Sequence, residues 1–206
     1  MQIPCKTRQS LTLILFLVVT SLVPQGIATL NAQAVPLREK KADLSVFGTY
    51  TRLKPDYGPQ QNNGVTFGAF YTRYWRWFSP AIEFRVKIAD GATVNERTYG
   101  GGIRVEKQFG QRFRPFADFL VSGGTINYHF GTPPIKPDGK PYLSDSSVVY
   151  TYGGGLDYDV TENFSARGEF QGENWSLGGY TPITLTPSMW SIGVVYRIPF
   201  KPIGFR

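Results

Sequence analysis

The stretch Ile82-Glu83-Phe84-Arg85-Val86-Lys87-Ile88 alternates a large apolar side chain with an ion at every step. In a strand this puts four apolar groups on one face and three ionised groups on the other. The chain is thereby constrained to a sheet whose two faces meet different media. Which face looks outward decides what the sheet is for.

The same period recurs along the chain. Between turn signals it predicts eight strands, at 43–53, 65–74, 81–89, 97–108, 113–128, 147–158, 164–174 and 189–198. After residue 35 no segment shows apolar residues at helical spacing or approaches a helical membrane span. Most of the strands exceed the about five or six residues usual in soluble sheets and suit the roughly nine to eleven that cross a bilayer at a tilt. Their connections sort by length. KPDYGPQQNNG, DGATVNE, FGTPPIKPDGKPYLSDSS and SLGGYTPITLTPS are long and polar, and they alternate with the tight WRWFSP, FGQR and DVTEN. Long loops at one end and short turns at the other are the layout of a membrane barrel. The glycine runs 100–102 and 153–155 are expected to bend strands in a narrow barrel.

The first residues read as a leader. Lys6 and Arg8 precede the apolar run Leu11 to Val23, Pro24 and Gly26 close it, and Ala32-Gln33-Ala34 supplies a small-residue cleavage site. Residues 1–34 are thus expected to be a signal peptide and residues 35–206 one barrel domain. Cys5, the single cysteine, leaves with the leader, so no disulfide or thiolate site is expected in the mature chain. Without Lys6 and Arg8 the 22 basic residues still exceed the 15 acidic ones by five, but the excess forms no run, which argues against nucleic acid.

Three features orient the faces. The last strand carries Trp190, Ile192, Val194, Tyr196 and Ile198 on one face, and the small, sparse set Ser191, Gly193, Val195 and Arg197 on the other. A lipocalin-type soluble barrel would reverse these faces, yet its solvated side would be rich in lysine, whereas the charged faces here favour Arg and Glu. Rings gather at both strand ends: Tyr71, Trp75, Trp77, Phe78, Phe109, Phe113, Tyr158 and Phe164 by the short turns, and Tyr50, Tyr99 and Trp190 by the long loops. The fold expected is all-β, an eight-stranded antiparallel up-and-down transmembrane β-barrel. The same parity turns Glu83, Arg85, Lys87, Arg104, Glu106, Arg114, Asp118, Asp157, Arg167, Glu169, Glu173 and Arg197 inward. Six bases and six acids balance, as a closed, paired interior requires. Glu106 with Arg167 and Glu169 with Arg197 serve as trial pairs.

RFRPFADFLVSGG (Arg112 to Gly124) and GGGLDYDVTENFSARGEFQ (Gly153 to Gln171) give the chain its resemblance to the outer-membrane β-barrel domain family of OmpA/OmpX-like barrels. The final SIGVVYRIPF resembles the family's assembly signal, with Ser191, Gly193, Tyr196, Ile198 and Phe200 in its roles, although the chain ends KPIGFR in place of a terminal aromatic residue. The resemblance implies an integral protein of a Gram-negative outer membrane. It implies contact with outer-membrane lipid and lipopolysaccharide, insertion by the barrel-assembly machinery, and loops free to bind a partner. With few residues after Phe200, no wall-binding domain is expected. A closed barrel serving membrane integrity or loop binding is the first reading, and a narrow porin-like channel is the alternative.

A lipid-A-modifying enzyme is the third. Such barrels use a His with a Ser and a carboxylate, because serine needs a base to lose its proton. The single histidine, His129, has Gly131 where a same-face serine would sit, and Ser144 and Asp145 lie in the next connection. No catalytic residue, metal ligand set, phosphate loop or cofactor site is assigned.

Overall fold

The computed structural model describes residues 42–56, 61–75, 77–92, 94–129, 139, 141, 143–177 and 183–198. The expected leader lies outside them. Nine strands run in chain order: β1 (Ala42–Lys54), β2 (Asn62–Arg73), β3 (Ser79–Asp90), β4 (Val94–Glu106), β5 (Phe113–Tyr128), β6 (Ser144–Asp159), β7 (Phe164–Leu177), β8 (Ile183–Leu185) and β9 (Ser188–Ile198). From β1 to β7 each pairs antiparallel with the next, β7 pairs with both β8 and β9, and β9 closes on β1.

β8 and β9 act as one wall strand. They hold a single register against β7, from Trp175↔Leu185 to Gly172↔Ser188. The break falls at Pro187, which has no N–H to give the ladder. Its carbonyl still accepts from the Glu173 N–H at 2.9 Å. The wall is therefore an eight-stranded closed barrel.

Closure fixes its geometry. Partners followed from Leu44 through Tyr71, Ile82, Ile103, Phe119, Tyr152, Gly172 and Ser188 return to β1 at Lys54, ten residues beyond the start. An eight-stranded barrel tilts its strands by about 35–45° and leaves an interior that side chains can fill.

The eight expected strands are present, and most reach further toward the loops than their sequence pattern. One connection differs in kind. DGATVNE is no long loop: β3 ends at Asp90, β4 begins at Val94, and Gly91 N–H donates to the Val94 carbonyl at 3.0 Å. Val94 turns into a buried apolar cluster, which favours zipping the hairpin to its tip. β6 likewise starts at Ser144, inside the segment read as a loop.

Outward side chains form an apolar band. Ile82 is 72% exposed, Phe170 62% and Val194 59%. A belt of exposed rings borders the band on each side. Tyr71, Trp75, Trp77, Phe78, Phe109, Phe113 and Phe164 lie at the turns, and Tyr50, Tyr99, Tyr150, Tyr152 and Trp190 lie toward the loops. Turn-side rings pair between neighbouring elements, Phe113 with Tyr158 at 5.2 Å and Phe164 with Tyr196 at 4.9 Å.

Val194 and Val195 sit side by side on opposite faces, one 59% exposed and the other fully buried. An arginine at Val194 is expected to destabilise the barrel in lipid by about 2–4 kcal/mol, measured by urea unfolding in vesicles. A harmless Val194→Arg beside a severe Val195→Arg would mean the faces are inverted.

Candidate functional site

The barrel interior is the site on which function turns, and it is layered. Nearest the turns, Arg114 Nε donates to Asp159 at 2.9 Å, and Arg197 donates to the other Asp159 oxygen at 2.5 Å. Tyr74, in the β2–β3 turn, closes this layer. Its hydroxyl donates to Asp43 and accepts from Arg114, both at 3.2 Å. Burial and the Asp43 carboxylate push this phenol up to about 12, against the pull of Arg114.

In the next layer Asp157 holds two guanidinium groups, Arg104 at 2.6 Å and Arg167 at 2.7 Å. Both lie over rings: Arg104 is 3.6 Å from the centre of Phe116, and Arg167 is 4.4 Å from that of Phe47. Among the described residues Arg104 Nε and Nη1 and Arg167 Nη1 have no hydrogen-bond acceptor, although Arg104 Nη1 lies 3.7 Å from the Glu83 carboxylate. The negative ring faces take part of that role, as cation–π contacts do where water is excluded. Gly155 makes room for the stack, since a Cβ there would come 2.8 Å from the Phe116 ring.

At mid-height Arg85 gathers carboxylates from three strands. It donates to Glu83 at 2.5 Å, Asp118 at 3.2 Å and Glu169 at 3.3 Å, and it also donates to the Gln171 side-chain oxygen. Gln171 in turn donates to Asp118 at 2.9 Å. Above them Lys87 Nζ lies 2.7 Å from Glu173 and 3.5 Å from Glu96. These bridges join β3, β4, β5 and β7 across the lumen.

Loopward of Lys87 the interior turns apolar. Val94, Ile126, Val149, Trp175 and Leu177 form a buried cluster, with Tyr128 and Leu185 packed against it. Trp175 faces both worlds, its Nε1–H donating to Glu173 at 2.9 Å while its ring joins the cluster. A Cβ at Gly124 would meet that ring at 2.5 Å, so glycine is the residue that fits. Outside the same segment the wall is polar, with the Thr125 and Ser146 hydroxyls 3.0 Å apart. Here the faces have exchanged character, apolar inside and polar outside.

No family model and no curated protein sequence matches the chain. Solved structures do. The attachment invasion locus protein Ail of Yersinia pestis superposes with a TM-score of 0.51 at 14% identity, over 76% of this chain and 97% of that one. Neisserial surface protein A does so with a TM-score of 0.51 at 12% identity, over 77% and 98%. The fold is that of an eight-stranded outer-membrane β-barrel.

Within this barrel all twelve residues assigned inward by parity are buried, each in at least one ion pair. The balance of six against six does not hold. Asp43, Glu96 and Asp159 are also buried inside, giving nine acids to six bases among the described residues. Each continues the parity of a strand by one step, but Asp43 and Asp159 stand at strand ends and Glu96 lay in a segment read as loop. The trial pairs are also replaced. Glu106 meets Arg104 at 3.3 Å while Arg167 takes Asp157, and Glu169 meets Arg85 while Arg197 takes Asp159. Register decides pairing, and register depends on all seven connections together.

Of the assembly-signal residues, Ser191 and Gly193 face inward, and Ser191 shares a hydrogen bond with Thr51 at 2.9 Å. Tyr196 packs against Phe164 with the rings tilted by 44°, Ile198 ends β9, and Phe200 lies outside the described residues. His129 is exposed beyond the end of β5. Ser144 pairs with Asn127, whereas Asp145 pairs with Ile126, so serine and carboxylate point to opposite faces. Among the described residues no group of His, Cys, Asp and Glu could hold a metal ion.

Removing the Asp157 carboxylate strands two buried cations. Asp157→Asn is expected to lower stability by about 3–5 kcal/mol in urea unfolding, against a near-neutral effect for Glu162→Gln on the exposed β6–β7 turn. Equal, small effects would show that the interior charges are solvated.

Proposed function

We propose that the chain is an integral outer-membrane protein whose barrel is a closed scaffold, serving membrane integrity and presenting its outer loops to a partner. The observation that carries this reading is occlusion by two unlike barriers in series. An ion network fills the barrel from the turns to Lys87, and an apolar cluster caps it. Solute would have to break several buried ion pairs and then leave water altogether. The apolar outer band between two ring belts supports insertion in lipid. The Ser144 and Asp145 orientations argue against a serine triad with His129, so the role proposed is not catalytic.

On this reading the leader directs export and is removed after Ala34, the barrel-assembly machinery inserts the mature chain through its last strand, and lipopolysaccharide and phospholipid surround the wall. The partner of the loops is of unassigned chemistry.

Purified, refolded protein is expected to show no steady conductance in planar bilayers while migrating as a compact, heat-modifiable band on gels. Reproducible ohmic steps from the unmodified protein would favour the narrow-channel reading. Recovery of the mature chain in the soluble periplasm would overturn membrane insertion.

A further inference from the structure

The buried ions are not spread evenly around the barrel. Among the described residues thirteen of the fifteen stand on β3 to β7, while Asp43 on β1 and Arg197 on β9 are the other two. Apart from the pairs that Arg197 makes, the interior ion pairs among these residues all join β3–β7 to one another. Arg85 to Glu169 at 3.3 Å and Lys87 to Glu173 at 2.7 Å run from β3 to β7. They hold the two ends of that five-stranded sheet together across the lumen. β9, β1 and β2 complete the wall with hydroxyls and apolar groups. Thr51 shares hydrogen bonds with Thr66 and Ser191 at 2.7 and 2.9 Å, and Phe47, Phe70 and Val195 pack in a small buried cluster.

From this distribution we propose that the β9–β1 seam is a joint that opens and closes without unpairing the ion network, and that Arg197 is its latch. Uncoupling a buried ion pair is among the costliest local events in a protein interior. The seam is set apart from that cost, because the bridges from β3 to β7 stay whole when β1 parts from β9. Parting them lifts Phe47 off Arg167, yet Asp157 keeps hold of that cation at 2.7 Å. A barrel jointed in this way curls its charged strands into a paired half before the wall is complete.

Arg197 suits the latch by where its bonds run. Its guanidinium donates to Asp159 at 2.5 Å, to the Ser165 hydroxyl at 2.6 Å and to the Glu162 carbonyl at 3.2 Å, which fixes it to the turn end of β6 and β7. Across the seam the same group reaches Asp43 of β1 at 3.9 Å. A slip of two residues between β9 and β1 keeps every side chain on its face but moves Arg197 roughly 7 Å along β1, out of reach of Asp43. The latch therefore closes in one register. Its removal is a local event, since Asp159 retains Arg114 at 2.9 Å and Asp43 retains the Tyr74 hydroxyl at 3.2 Å.

The test follows amide hydrogen exchange by mass spectrometry in the mature chain folded into phosphatidylcholine vesicles. In wild type the amides of β1 and β9 are expected to exchange at least about tenfold faster than those of β4 to β6. Arg197→Gln should speed β1 and β9 at least about fivefold further and leave β4 to β6 unchanged. A staple across the seam, Thr51→Cys with Ser191→Cys, joins register partners and should slow β1 and β9 when oxidised but not when reduced. Seam amides no faster than those of β4 to β6, an equal rise on every strand in Arg197→Gln, or a seam indifferent to the staple would each overturn the proposal. Wild type and the staple decide the matter if Arg197→Gln fails to fold.

Discussion

Among the described residues fifteen charged side chains are buried in the interior of one eight-stranded barrel, and the rest of the structure follows from keeping them paired. A lone ion in such a space is costly enough to prevent folding, while a pair needs good geometry and further hydrogen bonds to offset its desolvation. The barrel supplies both by convergence. Arg85 reaches carboxylates on β3, β5 and β7, and Asp157 joins Arg104 of β4 to Arg167 of β7. A network that ties opposite walls fixes register, because a one-residue slip would send its ions into lipid.

The barrel changes its solvent logic along its height. Through the apolar band the wall is greasy outside and charged inside. Beyond the loop-side rings Trp175, Val149 and Ile126 turn inward while Thr125 and Ser146 face out, as in a soluble sheet. Trp175 marks the crossing, with its ring in the apolar cluster and its N–H on Glu173. This change explains why β5, β6 and β7 run on for 16, 16 and 14 residues, since their outer ends are stabilised by a core of their own.

Much of this was legible because a strand's period of two is a local property. IEFRVKI alone assigns Glu83, Arg85 and Lys87 to one face, and the ring clusters at the strand ends orient it. What escaped were features set by distant partners. Glu96 and Val94 looked like loop residues until the apolar cluster drew their hairpin closed. Asp43 and Asp159 lay at strand ends, where alternation has too few steps to read. The partners of Arg167 and Arg197 depend on stagger around the whole ring, which no single strand encodes. The resemblance to outer-membrane barrels pointed to the fold, and solved structures at 14% and 12% identity share it.

The central claim is that the interior ions act as paired, dehydrated groups and not as a hydrated lining. Lys87 and Glu173 offer the most direct test, since they meet at 2.7 Å beneath the apolar cluster, each 1% exposed. Lys87→Met, Glu173→Gln and the double variant, unfolded by urea in lipid vesicles, give a coupling energy. A buried pair predicts that the double variant is less destabilised than the two singles sum to, by about 1–3 kcal/mol and with little change in high salt. A coupling near zero, with both single variants unfolding like wild type, would contradict the account.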